Sequence, residues 1–316
     1  MGKAGFCEGL AEYYDEIEDL WYSWLFSRLH LIIVKEVINK FRPKSVLDIG
    51  CGTGFQSFLH AFAGAEVVGI DISEDIVRIA KQKAESFSPK QDISLFQSHF
   101  RFVNTYNNHI NDELRKRPAD WKYIKPRFYV ADAIKIPFSE KKFDHINCCG
   151  STLSFVKKHE KALSEIKRLL KPNGTLLIEL ESRWNFDLFW DLLDAIMKHR
   201  IGYSMSFKEA IRNIVKNPQN HVYYNYPLCQ GGKIYKLELK AFSYKRLAKE
   251  LSNFKLKILK KWTIHSITTI IPSKILDKPK PSRILRKLFN FLRKIEEKIP
   301  FNFPGSSLII LARKDL

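Results

Sequence analysis

A glycine-rich turn is the segment of this chain whose residue types and spacing best suit ligand binding. Residues 48–54 read Asp-Ile-Gly-Cys-Gly-Thr-Gly, after a β-branched run and before a segment of helical periodicity. Glycines at such a junction let the backbone approach a ligand that the helix N-terminus faces. A dinucleotide fingerprint needs its third glycine at position 55, where Phe55 stands, so the spacing disfavours a nicotinamide cofactor.

Acids at the ends of three predicted strands complete this pattern. Asp48 precedes the glycines, where a carboxylate suits a cationic amino-acid group and would repel a pyrophosphate. Asp71 is placed to accept both hydroxyls of a ribose, and Ile72 would then lie against adenine. Asp132, followed by Ala133, is placed to accept the exocyclic amine of adenine. Together the strand ends predict one ligand, a nucleoside that carries an amino acid.

Three other side chains have both a chemical and a structural interpretation. Cys149 follows the fourth strand, but without a Pro-Cys pair we expect a non-covalent wall rather than a nucleophile. Glu181 ends the fifth strand and is either a substrate contact or a solvated acid. His265 is a candidate base, although a lone histidine is more often structural. Residues 147–153 also lack the Asn-Pro-Pro-Tyr pattern of nucleobase amine methylation.

The elements that must position these residues alternate strands with helices. This βαβα order predicts a doubly wound α/β fold, with right-handed crossovers and a mostly parallel sheet of seven strands. The predicted strands are 46–49, 67–70, 127–130, 143–148, 175–180, 255–261 and 306–312. Two helices are predicted before the first strand, over residues 7–27 and 28–40. Residues 171–174 are predicted as the turn into the fifth strand.

Composition limits the class of protein and its partners. The chain has 53 Lys and Arg against 34 Asp and Glu, a net charge of +19, so nucleic acid and anionic lipid are both candidate partners. Five cysteines, an odd number without a C-x-x-C pair, argue against a disulfide scaffold and a zinc site. Residues 29–38 are too polar and too short for a membrane span. We therefore predict a cytoplasmic protein that binds no metal. We also predict that the protein can lie against a membrane surface.

Several segments together resemble the successive motifs of class I S-adenosylmethionine-dependent methyltransferases. These segments are residues 46–54, 67–72, 132–133, 143–144 and 170–180. The resemblance covers residues 43–181, is strongest to enzymes that act on small molecules and quinone-like lipids, and implies S-adenosylmethionine as cofactor. The cofactor-binding residues predicted from it and from the strand ends are Asp48, Gly50, Cys51, Gly52, Thr53, Gly54, Asp71, Ile72, Asp132, Ala133 and Cys149. Tyr14-Asp15 is similar to a pair that precedes the first motif in such enzymes, which makes Tyr14 a candidate lid contact.

The same interpretation divides the chain into four parts. They are an N-terminal helical lid (1–42), a cofactor-binding core (43–181) with an insertion (88–126), an aromatic substrate cover (182–243) and a C-terminal part of the sheet (244–316). Because the sulfonium already activates the methyl group, we expect alignment and water exclusion rather than a dedicated base or metal. A small or lipid-like acceptor fits the aromatic segments, RNA fits the charge but is disfavoured, and a non-catalytic binding module is the third alternative.

The C-terminal part holds much of the positive charge. Residues 245–298 contain sixteen Lys or Arg against four Asp or Glu. Within them, residues 282–298 predict an amphipathic helix. Its apolar stripe consists of Leu285, Leu288, Phe289, Leu292, Ile295 and Ile299. This stripe either docks on the core, as most such helices do, or lies on an anionic membrane.

Overall fold

The computed structural model describes residues 20–87, 122–184, 186–203, 205–215, 221–230, 233–276, 281–298 and 304–315, without the side chains of 213 and 222–237. Its strands are β1 (Ser45–Ile49), β2 (Glu66–Asp71), β3 (Arg127–Val130), β4 (Phe143–Cys148), β5 (Leu170–Glu181), β6 (Val222–Gln230), β7 (Lys233–Ala241), β8 (Leu256–Ile264) and β9 (Ser307–Lys314).

The described helices lie between these strands and before the first. They are α1 (Leu20–Ile32), α2 (Asn39–Phe41), α3 (Phe55–Phe62), α4 (Glu74–Ser86), α5 (Thr152–Phe155), α6 (His159–Leu169), α7 (Asp187–Ile196), α8 (Phe207–Val215), α9 (Tyr244–Asn253), α10 (Ser273–Leu276) and α11 (Arg283–Lys298). A π-helical segment, Ile33–Ile38, joins α1 to α2, and a 3₁₀ turn, Thr268–Ile270, precedes α10.

Seven strands form one sheet in the order β3-β2-β1-β4-β5-β9-β8. The first five are parallel, whereas β9 runs antiparallel to both β5 and β8. The predicted doubly wound, mostly parallel fold is therefore confirmed. Val46, Leu47 and Ile49 of β1 are almost fully buried, since helices cover both faces of a parallel sheet.

The helices before the sheet differ from the prediction of two separate elements. One continuous helical run extends from Leu20 to Phe41 and ends at Arg42, which adopts a left-handed φ of 47° before Pro43. The apolar face continues across the predicted break, because Leu25, Leu29 and other residues of the run are buried in one core cluster. Packing of this whole face keeps the chain helical across the predicted break, and the run ends where Arg42 precedes Pro43.

The segments inserted in the sheet are only partly described. Most of the predicted insertion 88–126 lies outside the described residues, and so does Tyr14. The predicted cover, 182–243, contains α7, α8 and a two-stranded antiparallel hairpin of β6 and β7. The predicted turn at 171–174 is wrong as a strand boundary, because β5 already pairs with β4 from Leu170.

The predicted amphipathic helix is α11, and it contacts the core. Phe289 is fully buried in the cluster that includes the α1 side chains, with Leu285 and Leu292 packed against it. Leu288, from the same predicted stripe, is 46% exposed. Among the described residues, no helix is long and apolar enough to cross a bilayer.

Candidate functional site

The glycine turn connects the end of β1 to the start of α3. The backbone amides of Gly50 and Cys51 both donate to the carbonyl of Ile70, at 2.8 and 3.0 Å, which ties the turn to the end of β2. Gly50 has a φ of +69°, and a Cβ there would overlap the side chain of Thr152 at the start of α5. Glycine is required at this position because the turn passes so close to the segment after β4.

Asp71 holds the turn from the neighbouring strand. Its carboxylate accepts hydrogen bonds from the backbone amides of Gly52 (3.1 Å) and Ser73 (3.0 Å). Ser73 in turn caps α4 by accepting from the Ile76 amide, as its sequence position indicates. Burial raises the pKa of Asp71, against these backbone hydrogen bonds. Ile72, directly beside it, leaves an apolar side chain 39% exposed.

Asp48 lies beneath the turn rather than on its surface. Ser57 donates to one carboxylate oxygen at 2.6 Å and Asn147 to the other at 2.9 Å. Burial raises the pKa of Asp48 to about 6, although these two hydrogen bonds oppose the shift. Both oxygens thus have partners within the chain, and direct contact with a ligand's ammonium group stays a prediction.

Asp132 and Ala133 lie after β3, next to the end of β2. Asp132 is exposed and accepts from the Ile134 amide at 3.1 Å, whereas Ala133 is buried. The Ala131 amide donates to the carbonyl of Asp71 at 2.9 Å, so the two predicted acid positions follow adjacent strands at one edge of the sheet. The structure therefore brings together the predicted residues of the β1, β2 and β3 ends.

Cys149 follows β4 and lines the same site. Its thiol is buried and donates weakly to the side-chain oxygen of Asn147 at 3.4 Å. Burial raises the pKa of Cys149 well above that of a free thiol, and burial also raises the pKa of Cys51. A neutral buried thiol is a poor nucleophile, which agrees with an apolar wall.

A small cleft, open to solvent, lies over the turn. Its walls come from α1, the glycine turn, the start of α3 and the segment after β4. The lining residues are Phe26, His30, Gly50, Cys51, Gly52, Thr53, Phe55, Gln56, Cys149 and Gly150. At Gly150, with a φ of +70°, a Cβ would meet no atom of the described residues within 4 Å, so among them this wall faces open space. A ligand in the cleft would contact the turn and the β4 end together.

His30 is a lining residue that the sequence analysis did not identify. Its ring stacks on Phe55, with centroids 4.1 Å apart, and is 1% exposed. Neither ring nitrogen has a hydrogen-bond partner among the described residues. Burial lowers the pKa of His30 to about 3, so the imidazole is neutral. An uncharged ring with unused nitrogens beside a cleft is suited to bind a ligand. No local pattern marks it, since α1 meets α3 only in the folded chain.

His265 is not available as a base, which corrects its candidate catalytic role. Its ring stacks on Trp21 with centroids 3.4 Å apart and nearly parallel planes. One nitrogen is bonded to Thr268 and the other to the Trp21 carbonyl, at 3.0 and 3.1 Å. Burial lowers the pKa of His265 to about 3. The residue fastens the start of α1 to the turn before α10.

Glu181 ends β5 beside a second buried acid, Glu179. The Ser151 hydroxyl donates to Glu181 at 3.1 Å, and the Ser151 amide donates to Glu179 at 2.6 Å. Ser151 directly follows the cleft-lining Gly150, so both acids lie next to the β4 end. Burial, and then the charge of Glu179, raise the pKa of Glu181 to about 8. Glu181 therefore carries a proton at neutral pH, and its predicted substrate contact stays a prediction.

A separate polar cluster lies between α6 and α9. His159 and His221 both direct Nε2 to Glu250, at 3.0 and 3.2 Å, which resembles a metal-ligand set. However, Lys240 and the Ser243 amide donate to the two Nδ1 atoms, at 2.5 and 3.1 Å. With Nδ1 accepting in both rings, each ring carries its proton on Nε2 and donates it to Glu250. This tautomer leaves Nε2 without a lone pair for a metal, so the cluster serves to hold helices together.

A family model described as a methyltransferase domain matches residues 47–178. The putative methyltransferase YqeM of Bacillus subtilis (strain 168) is 26% identical over 205 residues, which cover 62% of this chain and 64% of YqeM. A ubiquinone biosynthesis O-methyltransferase of Glaesserella parasuis serovar 5 (strain SH0165) is 30% identical over 159 residues, covering 50% of this chain and 54% of that protein. The chain thus spans between about half and two thirds of these curated relatives.

The fold is shared with solved structures. A SAM-dependent methyltransferase from Methanosarcina mazei superposes with a TM-score of 0.50 at 19% identity, and the match covers 86% of this chain and 92% of that one. At this identity the likeness concerns the fold.

Proposed function

Because residues 47–178 form a class I S-adenosylmethionine-dependent methyltransferase domain, we propose that this chain transfers a methyl group to a small or lipid-like acceptor. S-adenosylmethionine is the cofactor of the domain. The observation that carries the proposal is a pair of carboxylates, buried Asp48 and partly buried Asp71, around a glycine turn that lines an open cleft. Two acids with raised pKa values at one turn favour a ligand that carries positive charge.

The residues present fit this cofactor. Asp71 lies at the strand end that α/β folds use for ribose hydroxyls, and Ile72 beside it offers an exposed apolar surface to a purine. Gly150 leaves its wall of the cleft open, so a ligand can approach the backbone after β4. His30 adds a neutral hydrogen-bonding group whose nitrogens have no partner among the described residues.

When bound, S-adenosylmethionine supplies an electrophilic methyl group on a sulfonium. The chain's own residues then have to orient two ligands and exclude water. Phe26, Phe55 and the neutral Cys149 thiol give the cleft apolar walls, which would displace water beside bound ligands. In this proposal Glu181, whose pKa burial raises to about 8, donates a hydrogen bond to a polar atom of the acceptor.

The walls of the cleft support an uncharged or lipid-like acceptor over RNA. Among the described residues that line it, none is Lys or Arg, whereas binding of a polyanion needs basic side chains at the active-site mouth. Exposed aromatic side chains continue beyond the end of β5, with Phe189 and Phe207 each 54% exposed. The Glaesserella parasuis relative is described as an enzyme of ubiquinone biosynthesis, which agrees with an aromatic, lipid-like acceptor.

The binding half of the proposal predicts a specific loss in Asp71→Asn. The amide replaces a charged acceptor, so we expect affinity for S-adenosylhomocysteine to fall about 10- to 100-fold, corresponding to about 1.5–3 kcal/mol. Calorimetric titration measures this change. Asp75→Asn is the matched control, because Asp75 lies in the first turn of α4 and pairs only with exposed Arg78 among its described contacts. Equal affinities in wild type and both variants would remove Asp71 from the site.

The catalytic half is tested with radiolabelled S-adenosylmethionine and two sets of acceptors. We expect label to enter phenolic or quinol lipids and not transfer RNA. Label found only in RNA would favour the polyanion alternative. A protein that binds the cofactor product tightly but labels neither set, across a broad small-molecule panel, would favour a non-catalytic binding module.

A further inference from the structure

Helix α11 has two apolar faces, and only one of them packs against the described part of the chain. The inner face holds Phe289, fully buried in the core, together with half-buried Leu285 and Leu292. The outer face, which we call the outer ridge, consists of Ile284, Leu288 and Phe291, which are 81%, 46% and 61% exposed. Spacings of four and three residues align the three ridge side chains along one stripe.

Contacts on the inner side fix the rotation of the helix. The Arg293 guanidinium lies over the Trp24 ring of α1, 5.0 Å from its centroid. Glu296 accepts from the backbone amides of Ile267 (2.9 Å) and Thr268 (3.1 Å). Since these contacts and Phe289 share the inner side, the outer ridge cannot turn into the core without breaking them.

A row of lysines runs beside the outer ridge. Lys287, Lys294 and Lys298 are exposed, and spacings of seven and four residues place them on one stripe, about a fifth of a turn from the ridge. The two acids of the helix are engaged elsewhere, because Glu296 faces inward and Glu297 pairs with Arg293 at 2.6 Å. The exposed edge of α11 thus combines apolar side chains with positive charge.

The elements attached to α11 expose further apolar side chains. The turn bonded to Glu296 also binds α7, since the Trp190 indole donates to the Thr269 carbonyl at 2.7 Å. Ile270 of this turn is 53% exposed, and Ile196 of α7 is 61% exposed. α7 begins shortly after Glu181, so this chain of contacts connects α11 with the acceptor side of the site.

We propose that the outer ridge docks this protein on a bilayer surface that contains anionic lipid. An apolar ridge with a flanking lysine row matches the interface, where apolar side chains enter the acyl boundary and cations meet anionic headgroups. RNA would bind the lysines, but its phosphates would not bury the exposed apolar side chains of Ile284 and Leu288. The docking depends on the surface of α11 and holds whatever the methyl acceptor is.

The test is co-sedimentation of the full chain with vesicles of phosphatidylcholine, with and without phosphatidylglycerol, at low and high salt. We expect binding to the anionic vesicles at low salt, reduced at high salt. A lysine variant, Lys287→Gln/Lys294→Gln/Lys298→Gln, should bind about 100-fold more weakly, since each cation near the surface contributes roughly fivefold. A ridge variant, Ile284→Gln/Leu288→Gln/Phe291→Gln, should lose binding as well.

A charge-matched control separates docking by α11 from general attraction. Lys81, Lys161 and Lys245 are exposed on α4, α6 and α9, and their triple change to Gln should leave vesicle binding within about twofold. An equal loss in this control would overturn the proposal, as would absence of binding by the wild-type chain at low salt.

Two other occupants of the ridge give distinct results. Residues 8–19 hold six acids and could cover a basic surface of the same chain. In that case the ridge variant would lower the melting temperature by several degrees, which would overturn the proposal. Retained vesicle binding by the ridge variant, with transfer RNA displacing the vesicles, would assign α11 to nucleic acid instead.

Discussion

His30 is buried beside the cleft, and neither of its ring nitrogens has a hydrogen-bond partner among the described residues. An imidazole buried without hydrogen-bond partners costs about 1–3 kcal/mol relative to an apolar ring of the same shape. His30 borders the cleft, whereas His60 is equally buried, has no partner for either nitrogen among the described residues, and is not part of the lining. A ligand in the cleft can therefore offset the free-energy cost of the unpartnered nitrogens of His30 by hydrogen bonding to them. It cannot do so for His60.

We predict that His30→Phe stabilises the ligand-free protein and weakens cofactor binding. Phenylalanine keeps the stack on Phe55 and removes the unpartnered nitrogens, so the free energy of unfolding should rise by about 1 kcal/mol. Affinity for S-adenosylhomocysteine should fall about tenfold, measured by calorimetry. His60→Phe should give the first effect without the second. Unchanged affinity in His30→Phe would make the residue part of the core only.

Glu181 predicts a pH-dependent stability. Its pKa, about 8 in the folded protein, lies above the value of 4.5 for the unfolded chain, so the folded state binds the proton more tightly. The stabilisation is complete below pH 4.5 and is lost as pH rises through 8. Glu181→Gln mimics the protonated form at every pH. At pH 9 the free energy of unfolding of this variant should exceed that of the wild type by on the order of 2 kcal/mol, a value that allows for solvent around this half-buried group. At pH 5.5 the two free energies of unfolding should differ little.

Urea unfolding at the two pH values measures the Glu181 effect. The difference between variant and wild type matters here, because Asp191 also has a pKa raised, to about 7, and contributes to both proteins alike. The same stability difference at pH 5.5 and pH 9 would mean that Glu181 is ionised throughout.

The residues of the site differ in how far the sequence reveals them. The glycine turn and Asp71 follow strands directly, so their place at one sheet edge follows from chain order alone. His30 and Asn147 have no such signal, because they meet the turn through contacts that only the complete fold creates. Asp48 was predictable in position, but its bonds to Ser57 and Asn147 depend on helix and strand packing.

At the scale of elements, the cluster of His159, His221 and Glu250 fastens α9 to α6. Burial opposes ionisation of Glu250, but hydrogen bonds from His159, His221 and Arg246 outweigh it and hold the pKa of Glu250 well below its usual value. Glu250→Gln should lower the free energy of unfolding by about 2–4 kcal/mol, because at least one buried donor loses its acceptor. Arg246→Gln, at the exposed end of the cluster, should cost less than about 1 kcal/mol.

Zinc provides the second measurement on this cluster. Because both histidines present an Nε2 proton to Glu250, stoichiometric Zn²⁺ should leave the melting temperature of the wild-type protein unchanged. A rise of several degrees that disappears in Glu250→Gln would show that the rings exchange tautomers to bind metal.

Secondary-structure elements were predictable where periodicity was strong. The strands of the parallel sheet and the amphipathic α11 follow the apolar pattern closely. The continuous helix from Leu20 to Phe41 was not, because its buried residues include Ser23, Ser27 and His30, which interrupt the apolar period. The start of β5 was displaced as well, since Asn173 and Gly174 indicate a turn but are incorporated in an irregular strand pairing.

At the scale of the whole molecule, the class of fold followed from the alternation of strands and helices. The order of the last strands in the sheet did not follow from local sequence. β9 lies between β5 and β8, with Leu308, Ile309 and Ile310 almost fully buried. A parallel sheet read only in chain order would place this segment at an edge. Its central position depends on long-range pairing that no local pattern encodes.

The position of β9 also means that β5 is synthesised well before the strand that pairs with it. Residues 182–306 separate β5 from β9, so at synthesis rates of 5–20 residues per second β5 waits roughly 6 to 25 s for its partner. During that interval its apolar edge, including Leu176 and Ile178, has unpaired backbone groups and is a template for foreign strands. Crowded nascent chains would then compete with β9 for the same edge, and yield of the folded protein would depend on expression rate as well as on stability.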